Sequence, residues 1–407
     1  MRLHFLCTIL RRSIWVIVLL LFLSPATSVM AGAQVVDAKV DYTFGGQATF
    51  QASIQTTVPI RTASLSIRAQ GEMDTQIEPV TPDYQGKVVY QYNLATRPLR
   101  AFARVDYWFI VTTQDGVETT SPVFSFNYED NRFAWKKLES KPFRVHWYGS
   151  DEAFAQGVLD VAQQGLQRIQ GILPLQTPVQ VDIYVYTSSN EMQETLLLAG
   201  KSWVAGHADP DLGVMVAALP PGPDQRLVTE ERIPHELMHI LVYQANPGAY
   251  NKLPVWLNEG LASISELYPN PDYQVLLETA AKKDTLISIV SLCQSFPTDI
   301  SGAQVSYAEA AAFTRYLYRQ YGSSGLQALI SSYTNGLECS RGVEAAFKTP
   351  LLQIESDWRK TILASAPPSG PATEVWSWFA VLGVILLIPL ALGLVGLYKR
   401  APGKLYR

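Results

Sequence analysis

The chain is short of the residues that build closed metal sites. It has only three cysteines and five histidines in 407 residues. A thiolate-rich structural zinc site or a disulfide-stapled scaffold needs several cysteines, so both are excluded. Charge is sparse as well: Asp, Glu, Lys and Arg make up 17% of the chain and leave a net −4. No long basic run is present, so no nucleic-acid partner is expected. No internal repeat recurs. Strongly apolar uncharged runs stand at the two ends of the chain.

Those ends carry targeting information. Arg11 and Arg12 precede "IWVIVLLLFL", and Pro25 and small residues follow as far as Ala31 or Ala33. A basic start, a short apolar run and a small-residue end predict a signal peptide over 1–33, cleaved or kept as an anchor. Near the C-terminus no charge interrupts the chain from Trp376 to Tyr398. That run is long enough to cross a hydrocarbon core. Trp376, Trp378 and Tyr398 sit where interfacial aromatics belong, and Lys399, Arg400, Lys404 and Arg407 follow. The spacing predicts a Pro/Ser linker over 366–374, a single transmembrane helix over 375–398 and a cytoplasmic tail over 399–407. Everything between the two ends is then extracytoplasmic, at a cell membrane. Cys7 falls in the signal segment, which leaves Cys293 and Cys339. In an oxidising compartment these two are expected to pair; the alternative is two separate buried thiols.

A multidomain chain is expected between the ends. Over 34–130 the apolar residues alternate. "ATFQASI" sets Phe50, Ala52 and Ile54 against polar neighbours, and "ASLSIRA", "KVVYQYNL" and "VDYWFIVTT" keep the period. "QDG" at 114–116 reads as a hairpin turn. Several short strands at this spacing predict an all-β sandwich of the immunoglobulin or fibronectin type, without the antibody disulfide. Over 131–365 the pattern becomes α+β. "PFRVHWYG" and "VQVDIYVYTS" read as strands around a helix, and from about residue 228 helices dominate.

The chemistry is concentrated in "PHELMH". His235 and His239 stand at i and i+4, so both imidazoles leave one helical face, as two zinc ligands would. Glu236 lies one step round the helix and is placed to act as a general base without ligating. Pro234 is expected to mark a kink or a late start of that helix. "WLNEGLASISE" supplies Glu259, with nineteen residues between it and His239. Two histidines and a carboxylate leave a zinc coordination position open, which suits a catalytic site rather than a structural one.

HExxH followed by W-L-N-E-G-x-A resembles the gluzincin metallopeptidases, above all the aminopeptidase-type branch and related peptidase MA-like domains. Trp256, Leu257, Asn258, Glu259, Gly260 and Ala262 match the second motif, and the resemblance extends loosely over 131–365. It implies an upper sheet, an active-site helix, a mostly helical lower half, and zinc held by His235, His239 and Glu259. The chain departs from the aminopeptidase branch in lacking its G-x-M-E-N strand. It departs from the thermolysin branch in carrying Ser263 where that branch has an aspartate. Glu266, two turns beyond Glu259, is the candidate to orient a ligand histidine. Tyr307 in "SYAEA" is the candidate oxyanion donor, with His207 as its rival. The expected function is hydrolysis of peptide or protein substrates by a membrane-anchored zinc metallopeptidase. The competing reading is a surface binding protein whose sandwich does the binding and whose zincin-like domain is a scaffold.

Overall fold

The computed structural model describes residues 32–196 and 206–365. The expected signal peptide, apart from its last two residues, lies outside them, as do the linker, the expected membrane helix and the tail. Among the described residues no helix is long and apolar enough to cross a membrane. The described residues fall into two units. One holds those up to Gln167 together with Leu175–Pro247; the other holds Arg168–Pro174 and those from Gly248 onward.

The first unit opens with two antiparallel sheets. One has the order β1 (Gln34–Tyr42), β2 (Gln47–Gln55), β5 (Lys87–Asn93). The other has the order β4 (Gln76–Val80), β3 (Ile60–Ala69), β6 (Arg104–Thr113), β7 (Glu118–Thr120), with β8 (Phe124–Asn127) also paired to β6. The period of two has a direct physical result: alternate side chains leave opposite faces of a strand. Ala48, Phe50, Ala52 and Ile54 of β2 therefore meet Leu65 and Ile67 of β3 and Val105, Tyr107 and Phe109 of β6 in one core. The turn at Gln114–Gly116 closes a hairpin, and Gly116 takes the positive φ of 85° that this turn needs.

The same unit continues into a mixed sheet. Its order is β12 (Gly206–Asp209), β13 (Val214–Ala218), β11 (Val181–Tyr186), β10 (Phe143–Trp147), β9 (Lys136–Ser140). The three central strands run parallel and the two outer ones antiparallel. Helix α1 (Glu152–Ile172) makes the crossover from β10 to β11 that a parallel pair requires. Strand β13 reads VMVAA and is buried throughout, as expected of a strand covered on both faces. On one face Tyr184, Tyr186, Val214 and Val216 pack with Phe102 of the sandwich and Met192 of α2 (Ser189–Leu196). Phe102 and Tyr184 have ring centroids 4.1 Å apart.

Helix α3 (Gln225–Ala245) carries the HELMH motif and closes this unit. It begins nine residues before Pro234 and stays helical through it, contrary to the expected late start. Proline in a helix interior costs about 3 kcal/mol. Here the ring is buried against Gly165 of α1, where an added Cβ would lie 3.1 Å from Pro234 Cβ and Cγ. Ile233, Leu237, Met238, Ile240, Leu241 and Val242 are buried around it. At about 1.5–3 kcal/mol for each fully buried large side chain, packing outweighs the missing hydrogen bond.

The second unit is helical: α4 (Val255–Ser265), α5 (Asp272–Lys282), α6 (Ile300–Thr334), α7 (Cys339–Phe347) and α8 (Leu351–Ser365). Trp256, Phe313 and Trp358 form its aromatic centre, each ring about edge-on to the next at 5.1 and 5.2 Å. Helix α6 starts on Asp299, whose carboxylate accepts from Gly302 N, and is interrupted at Gly322, where φ is 65°. Cys293 and Cys339 are joined in a disulfide with Cα atoms 6.2 Å apart. The pair braces the start of α4. Val255 N donates to Cys293 O at 2.9 Å, and Trp256 Nε1 to Cys339 Sγ at 3.5 Å.

Candidate metal centre

The motif helix places its side chains as its spacing demands. His235 and His239 lie one turn apart on α3, with ring centroids 5.3 Å apart and planes at 73°. His239 is buried and His235 half-buried. Glu259 sits on the second turn of α4. The packing of that helix explains the glycine that follows it. A Cβ at Gly260 would lie 2.0 Å from Thr314 Oγ1 and 2.5 Å from Ala310 O, so only glycine lets α4 settle this close to α6. His235, His239 and Glu259 each offer a ligating atom within 4.8 Å of the others. Ligands at about 2.0–2.1 Å from a tetrahedral zinc stand about 3.3 Å from one another. Donor atoms this close to one another can share one ion. Two imidazole nitrogens and one carboxylate are a zinc donor set with a position to spare.

Glu236 is 7% exposed and faces strand β12. A Cβ at Gly206 would lie 2.4 Å from Glu236 Oε1, so the strand reaches the carboxylate only because residue 206 has no side chain. One turn earlier on α3, the Arg232 guanidinium donates through Nη1 to Ala218 O of β13. Burial pulls its pKa below the usual arginine range, against the negative charges of Glu231 and Glu236.

The remaining candidates fall as follows. His207 lies in the middle of β12, its Nε2 3.8 Å from Asp209 Oδ1. Burial disfavours its charged form, but Asp209 and Glu236 outweigh that and raise its pKa. Tyr307 lies in the second turn of α6, half-buried, with its ring edge-on to Phe296 at 5.0 Å. Glu266 is buried at the end of the Glu259 helix, seven residues on. Helix α4 ends at Ser265, and Glu266 is its C-cap with φ −53° and ψ 135°. Pro269 and Pro271 follow and cannot extend a helix. The negative charge of Glu266 acts on the half-buried Arg315 guanidinium, partly offsetting the effect of burial and of Arg319.

Two features of the site were not singled out from sequence. Gly206 gives no signal of its own, because its role depends on a helix some thirty residues downstream. Asp209 and Asp211 are held by Arg100, more than a hundred residues upstream, so no local pattern shows the contact.

Comparison with known proteins agrees with the geometry in one respect. No curated protein matches the chain. Among solved structures, one titled "Myokine structure" is 8% identical, covers 24% of this chain and 96% of its own, and has a TM-score of 0.20. A bromine derivative of BhCBM56 is 14% identical, covers 22% of this chain and 88% of its own, at a TM-score of 0.18. A family 64 laminaripentaose-producing β-1,3-glucanase from Paenibacillus barengoltzii, with laminarihexaose, is 11% identical. It covers 22% of this chain and 20% of its own, at a TM-score of 0.17. Likenesses of that strength carry no argument about fold or ligand. A family model described as Peptidase MA superfamily, by contrast, matches residues 161–364. That is half of the chain, and it takes in α3 with its HELMH motif and α4 with Glu259: the chain belongs to the peptidase MA superfamily.

Proposed function

We propose that this protein is a zinc-dependent metallopeptidase that hydrolyses peptide or protein substrates. In this reading residues 375–398 anchor it to a membrane, with its bulk on the extracytoplasmic side. The observation that carries the enzymatic reading is the trio His235, His239 and Glu259 within 4.8 Å, with the buried Glu236 on the same helix as the two histidines.

A zinc ion held there would supply Lewis-acid polarisation of the scissile carbonyl and of the attacking water. The chain supplies the rest. Glu236 takes the proton from the water and returns it to the leaving amine, so a single carboxylate serves as base and then acid. Strand β12 stands at the end of the described sheet, where an extended peptide can pair with its backbone. His207 on that strand, or Tyr307 on α6, donates to the developing oxyanion. The W-L-N-E-G-x-A motif supports the aminopeptidase-type branch. Equal cleavage of N-acetylated and free peptides would place the enzyme among endopeptidases instead.

Glu236→Gln tests the mechanism. The amide keeps the size of the side chain but cannot accept a proton at neutral pH. Zinc content and the unfolding midpoint should match wild type, while hydrolysis of a mixed peptide library falls about 10²–10⁴-fold. Equal cleavage by both proteins would refute the role of Glu236. Zinc bound by both with no hydrolysis by either would shift the function to the sandwich as a binding module. The anchoring is tested separately. Protease added to intact cells should remove the bulk of the chain and leave a C-terminal tag protected. Digestion of the tag would reverse the orientation.

A further inference from the structure

We propose that the β-sandwich is a working part of the substrate cleft, in which Arg100 is a positioning residue that fixes strand β12 and His207 through Asp209 and Asp211. Arg100 lies on the sandwich segment between β5 and β6. Its Nη1 and Nη2 donate to Asp211 Oδ2 and Oδ1, each at 2.6 Å, and Nη2 also donates to Asp209 Oδ1 at 2.8 Å. A further contact runs from Nη1 to Gln70 O at 3.3 Å. Charge-assisted, two-pronged pairs of this kind are short and directional, so they hold orientation as well as distance. Arg100 and both aspartates are largely removed from water, their side chains 19–27% exposed. Screening therefore weakens the cluster less than it would a surface pair.

Both acceptors belong to the edge of the active-site sheet. Asp209 is the last residue of β12, and Asp211 lies in the turn from β12 to β13. Leu212, next in that turn, packs against the sandwich core and against the aromatic cluster on the sheet. The sandwich also closes over the pair from its β3–β4 turn. At Gly71, with φ +82°, a Cβ would lie 2.1 Å from Arg100 Nη1 and 2.5 Å from Asp211 Oδ2.

The opposite end of the same short strand is Gly206, whose missing Cβ leaves room for Glu236 Oε1. The two ends are three residue steps apart, about 10 Å of extended chain. His207 lies between them, and Asp209 Oδ1, the oxygen that accepts from Arg100, is also the one 3.8 Å from His207 Nε2. A cavity of about 290 Å³ lies on this side of the strand, lined by Arg100, His207 and Asp209 among others. A displacement of Asp209 therefore reaches His207 directly, and reaches Gly206 through a strand too short to absorb it. Rigid placement of a side chain by its supporting contacts is what a binding edge requires.

The experiment uses the full chain and Arg100→Ala, with Arg100→Lys as the second variant. Lysine keeps the charge but cannot bridge two carboxylates in the planar, forked manner of arginine. Amide exchange at β12 should rise tenfold or more in Arg100→Ala, while exchange in β10 and β11 stays at the wild-type rate. By NMR, His207 should titrate at higher pH, because Arg100 opposes its charge while Asp209 and Glu236 favour it. The kinetic readout rests on the peptidase reading: KM for a peptide substrate should rise tenfold or more at unchanged zinc content. Arg100→Lys should give the same changes at smaller size. Unchanged β12 exchange in a folded Arg100→Ala or Arg100→Lys protein would overturn the proposal. So would exchange that rises equally across β9–β13, which would make Arg100 a fold-wide support. If wild type cleaves nothing, the peptidase reading fails, while exchange and the His207 titration still decide this one.

Discussion

Gly206→Ala is a single added methyl group whose effect follows from distances. The new Cβ would lie 2.4 Å from Glu236 Oε1, 3.1 Å from Cδ and 3.2 Å from Cγ. Non-bonded heavy atoms rest at about 3.5–4.0 Å, so the carboxylate must retreat by about 1 Å. Gly206 does not hold a left-handed backbone, so alanine adds no backbone strain. The nearest atom is the far end of a rotatable side chain, and the stability cost should lie near the low end of overpacking, about 1 kcal/mol. Catalysis is far less tolerant: a 1 Å misplacement costs about 10²-fold in rate, or about 2.7 kcal/mol of barrier. The expected result is a variant that folds, binds zinc as wild type does, and loses about two orders of magnitude in kcat/KM. Zinc content, the urea unfolding midpoint and peptide hydrolysis would be measured side by side. A kcat/KM within twofold of wild type would refute the assignment of Glu236 as the base beneath this strand. Loss of zinc alongside activity would refute the argument that only Glu236 is displaced.

Two further expectations concern the helical unit. Glu309 is fully buried, its Oε1 accepts from Ile287 N at 2.7 Å, and burial pushes its pKa up to about 8. The folded protein therefore keeps a proton that the unfolded chain releases from about pH 4.5. This stabilising contribution is whole below that pH and is lost as pH rises through about 8. Glu309→Gln cannot ionise, so its unfolding free energy should fall less steeply between pH 5 and 8 than that of wild type; parallel curves would refute the assignment. The disulfide closes a separation of 46 residues, for which the chain-entropy model gives about 4 kcal/mol. Cys293→Ser with Cys339→Ser should lower the unfolding free energy by up to that amount. No change in midpoint would mean the bond does not form in the isolated protein.

What the sequence revealed depended on the range of the interaction. The sandwich strands were legible because alternation is local, and Phe50 and its neighbours had only one face to bury. The relation of His235 to His239 was legible for the same reason, since a helix sets i and i+4 side by side whatever surrounds it. Pro234 is expected to mark a kink or a late start; the helix does not start late, because the buried residues around it and Gly165 of α1 outweigh local propensity. Glu266 was legible as a helix position: it lies seven residues beyond Glu259 and caps the helix that Pro269 and Pro271 then bring to an end. The Arg100 cluster joins residues more than a hundred positions apart, and the sequence bears no mark of it.

Glycine-to-alanine replacement is a common route to heat-resistant enzymes, because it removes freedom from the unfolded chain. At two glycines of α1 that route is open: an added Cβ at Gly171 meets nothing within 4 Å, and at Gly157 only Arg226 Nη1 at 3.9 Å. At Gly206 and Gly260 the same replacement drives a methyl group into Glu236 or into Thr314 and the backbone of α6. The chain thus holds glycines of two kinds that look alike in a sequence. Robustness can be raised at one kind, and at the other it competes with the function proposed for the site.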